Sequence, residues 1–138
     1  MSVSVSFANY IVAALKADAT VNDLVAGRIW DHPPTQREFP YISLGEADFS
    51  TDDAECIEAR EETLQLDCWT RANGRKWPCK QIVDAVVDVM RGLEGEFPKG
   101  YLVGTRIEIA RTFDDPDGLT VHGVVQVTGL IDEVSEDG

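Results

Sequence analysis

Residues 101–131 read YLVGTRIEIARTFDDPDGLTVHGVVQVTGLI, and the fold turns on this stretch. Its halves, roughly Tyr101–Phe113 and Leu119–Ile131, have the length and β-branched content of strands. Between them Asp114-Asp115-Pro116-Asp117-Gly118 supplies the residues a tight turn needs. A β-hairpin is the expected outcome, and with it an antiparallel sheet.

Upstream, Pro78 suits the first turn of the longest helix. Ile82, Val83, Val86, Val87, Val89, Met90 and Leu93 follow at helical spacing, and Gly92 and Gly95 end it. The β-branched residues are poor helix formers, yet their spacing outweighs propensity. Asn73-Gly74 marks a turn. Thr63–Trp69 alternates, with Leu64, Leu66 and Cys68 pointing one way and Thr63, Gln65, Asp67 and Trp69 the other. That predicts a strand with one buried and one wet face. Phe39–Phe49 also reads as a strand, followed by an acidic loop over Ser50–Glu58. Arg28–Asp31 is a short strand, and the paired prolines of His32–Glu38 form a loop. Towards the start, Phe7, Ile11, Ala14 and Leu15 place a helix from about Ser6, its N-cap, to Ala17. A second helix over Ala19–Ala26 is capped by Asp18 and ended by Gly27. Helices, strands, one long helix and a hairpin, in that order, predict an α+β fold: an antiparallel sheet of about four to five strands with helices packed on one face.

The 138 residues fit a single domain, 1–138, with an acidic, frayed tail at about 132–138. A chain of this length buries roughly 65–70% of its unfolded surface and needs no staples. Twenty-five acidic residues against twelve basic ones give a net charge of −13. Tight binding to nucleic-acid phosphates or anionic membranes is disfavoured, since both need Lys and Arg. Cys56, Cys68 and Cys79 are odd in number and form no CxxC, which argues against a disulfide scaffold or zinc site. Neither a signal peptide nor a membrane span is expected, so the protein should reside in a cytoplasm.

Enzyme chemistry finds little support. His32 sits in a proline-rich loop and His122 on the last strand, and no GxSxG or cysteine-protease signature accompanies them. The acidic turn fails as an EF-hand, because placing Gly118 sixth puts Phe113 first and Val124 twelfth. Gly92, Gly95, Gly100 and Gly104 match no phosphate loop. No catalytic, cofactor or metal residue is therefore expected. Asp48, Asp52, Asp53, Glu55, Glu58, Glu61 and Glu62 read as a solvated or contact surface. Arg71, Arg75, Lys76 and Lys80 form a basic patch flanked by Trp69 and Trp77, a combination favoured at interfaces. Two readings stay open for it: balance against acid within the fold, or contact with acid on a neighbouring copy. A subunit with one acidic and one basic surface suits head-to-tail contact, which closes into a ring if the rotation permits.

Three stretches, taken in order, resemble a family of phage tail-completion proteins. They are Arg28-Ile29-Trp30-Asp31 with Pro33, Pro34 and Phe39-Pro40-Tyr41-Ile42-Ser43-Leu44-Gly45; Glu62–Arg71 with Gly74-Arg75; and Asp115–Gly123. The resemblance covers roughly residues 8–131. It includes siphophages, prophages and gene transfer agents, and implies a non-enzymatic tail terminator without cofactors. Such a protein is a ring, commonly a hexamer, that caps the tail tube and joins it to the head. Its partners would be copies of itself, the tail tube protein and the head-neck connector, with genomic DNA passing through without tight binding. Its places would be the host cytoplasm during assembly and then the head-proximal end of the virion tail. Trp69, Arg71, Arg75, Lys76 and Trp77 become candidate subunit or tube contacts, and Asp48, Asp52, Asp53, Glu55 and Glu58 a candidate acidic lumen or contact loop. Six copies at −13 each would carry −78, enough to keep DNA from sticking. The nearest alternatives are a head-side adaptor of the connector and a small regulatory ligand-binding α+β domain.

Overall fold

Helix α1 spans Val3–Ala17 and begins where Ser2 accepts the Val5 N–H at 3.1 Å. The cap is thus Ser2 and not Ser6, which lies inside the helix with its side chain buried. Helix α2, Ala19–Val25, is capped as expected by Asp18, which accepts the Val21 N–H at 3.0 Å. It ends at Ala26 and Gly27, both in the left-handed region. Helix α3, Trp77–Arg91, has Pro78 in its first turn and buries Cys79, Ile82, Val83, Ala85, Val86, Val87 and Met90. These elements belong to a computed structural model that describes residues 2–54 and 57–133. Glu55, expected in the acidic loop, and most of the expected frayed tail lie outside the described residues.

The strands are β1 (Ile29–Trp30), β2 (Tyr41–Ala54), β3 (Ile57–Arg71), β4 (Gly95–Phe97), β5 (Gly100–Asp114) and β6 (Thr120–Glu133). They form one six-stranded sheet in the order β1-β2-β3-β6-β5-β4. This corrects the expected four to five antiparallel strands in two ways. Strand β4 was hidden in a segment that looked like the end of a helix. Strand β1 pairs parallel to β2, because the proline loop between them carries the chain back along the sheet before it turns into β2. The remaining pairs are antiparallel, as expected.

The acidic stretch also differs from expectation. Strand β2 continues to Ala54 and pairs with β3 to the end, Asp52 opposite Ala59 and Asp53 opposite Glu58. Ladder hydrogen bonds need no apolar alternation where no core lies beneath the strands. The β5–β6 hairpin forms where its turn residues placed it, Gly118 N–H donating to the Asp115 carbonyl at 3.1 Å.

The core lies between the helices and one sheet face. Phe7, Ile11 and Leu15 of α1, Val21 and Val25 of α2, and Ile82, Val86 and Met90 of α3 meet Ile42, Leu66, Cys68, Leu102, Val125 and Ile131. Two glycines of β6 permit this close approach. A Cβ on Gly123 would stand 2.6 Å from Val83 Cγ2 and 2.9 Å from Cys79 Sγ, and one on Gly129 2.8 Å from the Phe7 ring.

Candidate functional site

The sheet face opposite the helices is where polar chemistry collects. Strand alternation sends Thr63, Gln65, Asp67 and Trp69 of β3 to this face, opposite Thr128, Gln126, Val124 and His122 of β6. His122 Nε2 lies 2.7 Å from Asp67 Oδ1, and Gln65 Nε2 donates to the same oxygen at 2.9 Å. Gln126 donates to Gln65 at 3.0 Å, and the hydroxyls of Thr63 and Thr128 are 2.7 Å apart. Thr128 donates in turn to Glu108 at 3.0 Å, and Arg106 Nε donates to Glu108 at 2.6 Å, which holds that carboxyl below its usual range. The Trp69 ring stacks on His122 with centroids 3.8 Å apart and donates its indole N–H to Ser43 at 3.0 Å. Tyr41 and Phe113 extend the aromatic row on either side.

This network joins strands to one another. His122 is hydrogen-bonded to Asp67, and among the described residues no hydroxyl or thiol is hydrogen-bonded to its ring. Cys68 of β3 and Cys79 of α3 lie buried between helix and sheet; burial raises the Cys68 thiol and pushes Cys79 up to about 11. His32 is exposed in its loop. Sequence reasoning sorted β3 into its two faces correctly, but the face expected to be wet is half-buried, with Asp67 only 7% exposed. Its partners across strands, Ser43, Gln126, Thr128 and Glu108, were missed because pairing register is set by the turns.

Trp69, Arg71, Arg75, Lys76 and Trp77 gather at one end of the sheet, where β3 ends, α3 begins and the β5–β6 turn folds over. Arg71 lies over the Phe39 ring at 4.4 Å, donates to Thr120 at 3.1 Å and reaches Asp117 at 3.5 Å. Lys76 pairs with Asp114 at 3.1 Å. Asp117 also accepts from the Thr120 hydroxyl and from the backbone of Thr120 and Leu119, and these bonds hold its carboxyl below its usual range. Part of the basic patch is therefore matched by acid of the hairpin turn. Arg75 lies over Trp77, whose side chain stays 55% exposed and so offers an apolar contact that the fold itself leaves open.

The acidic residues lie along the β2–β3 hairpin, Asp48 at mid-strand and Asp52, Asp53 and Glu58 towards the end opposite the basic patch. Asp48 and Glu58 are exposed, and Asp52 and Asp53 lie on the backbone of the β2–β3 hairpin near its tip. The fifteen residues of β3 separate the ends by about 50 Å. A partly buried ion cluster lies towards the acidic end. Arg60 pairs with Glu62 at 3.2 Å and Glu133 at 3.1 Å and lies over Phe49 at 4.0 Å. Nothing in the sequence marks it, since its members are distant along the chain and look like ordinary surface charge.

Among the described residues no three His, Cys, Asp or Glu side chains gather as a metal site, and no helix is long and apolar enough to cross a membrane. The family model described as tail completion protein gp17 matches residues 9–132. The fold is similar to a chain of the virion of a native gene transfer agent particle, with TM-score 0.86 and 20% identity over 95% of this chain and 98% of that one. It is also similar to the gp17 protein of bacteriophage SPP1, with TM-score 0.59 and 16% identity over 98% of this chain and 93% of that one. No curated protein sequence matches.

Proposed function

The chain belongs to the tail completion protein gp17 family, and from that premise we propose that it is the tail terminator of its particle. As a member it is a structural component of the virion tail and not an enzyme. In the proposed role six copies close into a ring that caps the finished tail tube and binds the connector of the head. Genomic DNA passes through the ring without tight binding. The observation that carries this reading is the family match across nearly the whole chain. The polarity of the subunit supports it, because basic and acidic ends on opposite poles favour head-to-tail contacts over self-complementary ones. Trp69, Arg71, Arg75, Lys76 and Trp77 supply the contact at one pole. In the proposed ring, Asp48, Asp52, Asp53, Glu55 and Glu58 supply an acidic lumen or contact surface.

The test is electron microscopy of particles assembled without this protein. Tails that overrun their usual length and fail to join heads are the expected defect. Tails of normal length, firmly attached to heads, refute the proposal.

A further inference from the structure

The long strands β2, β3, β6 and β5 alternate in direction, and the sheet leaves both of its outer strands largely open. Strand β1 covers β2 only at Ile42 and Ser43, and β4 covers β5 only at Gly100, Tyr101 and Leu102. Among the described residues, the outer edge has no strand partner over 44–54 of β2 or 103–114 of β5. Open edges of this length template further pairing and are normally blunted. Here the two edges differ in charge. Strand β2 carries Glu46, Asp48, Asp52 and Asp53 and no base over its open part. Strand β5 carries Arg106 and Arg111 with Glu108 and Asp114. Arg106 pairs with Glu61 and Glu108 and Asp114 with Lys76, whereas Arg111 makes no ion pair among the described residues and lies 4.7 Å over the Phe113 ring.

We infer that the open edge of β5 in one copy pairs with the open edge of β2 in the next, so that the sheet continues across the subunit boundary. This rests on the ring reading and names the contact that would build it. Three observations make a second copy the occupant. A copy related by rotation about a ring axis keeps its strand directions, so β5 meets the neighbour's β2 antiparallel and the alternation continues unbroken. The acid of one edge meets the free guanidinium of the other. The short covering strands are no obstacle, because β1 and β4 sit at opposite ends of opposite edges. Pairing residues 105–114 with the neighbour's 45–54 excludes both and brings Arg111 beside Asp48, two residues on the helix-free face.

That register has a geometric consequence. Within one subunit Arg106 is level with Asp48 across the sheet, through Thr128 and Thr63. Bringing Arg111 to that level in the neighbour shifts the copies by about five residues, or about 17 Å. Four long strands span about 19 Å at the usual spacing. A closed ring absorbs such a shift if the strands tilt by about 40°, which is the tilt that closed barrels of strands adopt. The bulges in β5 fall at Val103 and Glu108, so the run from Ile109 to Asp114 is regular. In β2 the bulge falls between Leu44 and Ala47, so Ala47–Ala54 is regular too.

The experiment uses the full chain with Cys56→Ser, carrying Asp48→Cys and Arg111→Cys, assembled into rings and then oxidised. A ladder of covalent multimers on a denaturing gel is expected, and none from either single-cysteine variant. In parallel, amide exchange of the unmodified protein should slow by about tenfold or more over 45–54 and 105–114 when rings form. Rings whose edge amides exchange as in the monomer, with no ladder, overturn the edge contact and leave the ring intact. Absence of rings by native mass spectrometry, alone and on isolated tubes, overturns the ring reading and this inference with it.

Discussion

At the scale of single residues, the missing side chains on β6 matter as much as those present. Gly123 and Gly129 lie where α3 and α1 come nearest the sheet, and a methyl group at either meets Val83 or Phe7 closer than real contacts allow. Gly123→Ala should therefore destabilise the fold by about 1–3 kcal/mol through overpacking. Gly104→Ala, with nothing within 4 Å of the added carbon, should change stability by about 0.5 kcal/mol or less. Thermal melts of the pair decide the matter; equal melting points would mean that α3 is free to lift from the sheet. Neither glycine stands out in the sequence, because a strand glycine looks the same whether it permits contact or merely bends the chain.

At the scale of elements, the β5–β6 hairpin depends on Asp117, which fastens the turn through Thr120, Leu119 and Arg71. Its folded carboxyl is held below its usual value, so this contribution is present at and above ordinary carboxylate pKa values and is lost as pH falls through the lower folded one. The amides of Leu119 and Thr120 should lose exchange protection only in acid below the ordinary carboxylate range. In Asp117→Ala they should be unprotected already at neutral pH; retained protection there would show that the carboxylate is dispensable. This hairpin, α2 and α3 were legible in the sequence because each is fixed locally, by a turn, a cap or an apolar face. The β2–β3 extension and β4 were not. The first lacks alternation because no core lies under it, and the second is three residues whose partner, beginning at Gly100, defines it. The Ser2 cap was likewise obscured by Ser6, a residue of the same type one helical turn along. The surface residues were legible by type and by approximate pole, whereas their partners depend on long-range register.

At the scale of the whole molecule, the subunit is polarised, and the proposed lumen gives that polarity a measurable effect. Asp52→Asn, Asp53→Asn and Glu55→Gln together should slow DNA ejection in particles of normal appearance, because a less acidic passage repels DNA less. Ejection timed in single particles checks this, and an unchanged rate removes the acid from the transit step. The charge of the β2 edge has a further effect. A two-fold partner joined through it would lay β2 against β2, acid on acid. That closed dimer is disfavoured, and dead-end pairs that would deplete the pool of free subunits are discouraged before the tube end is reached.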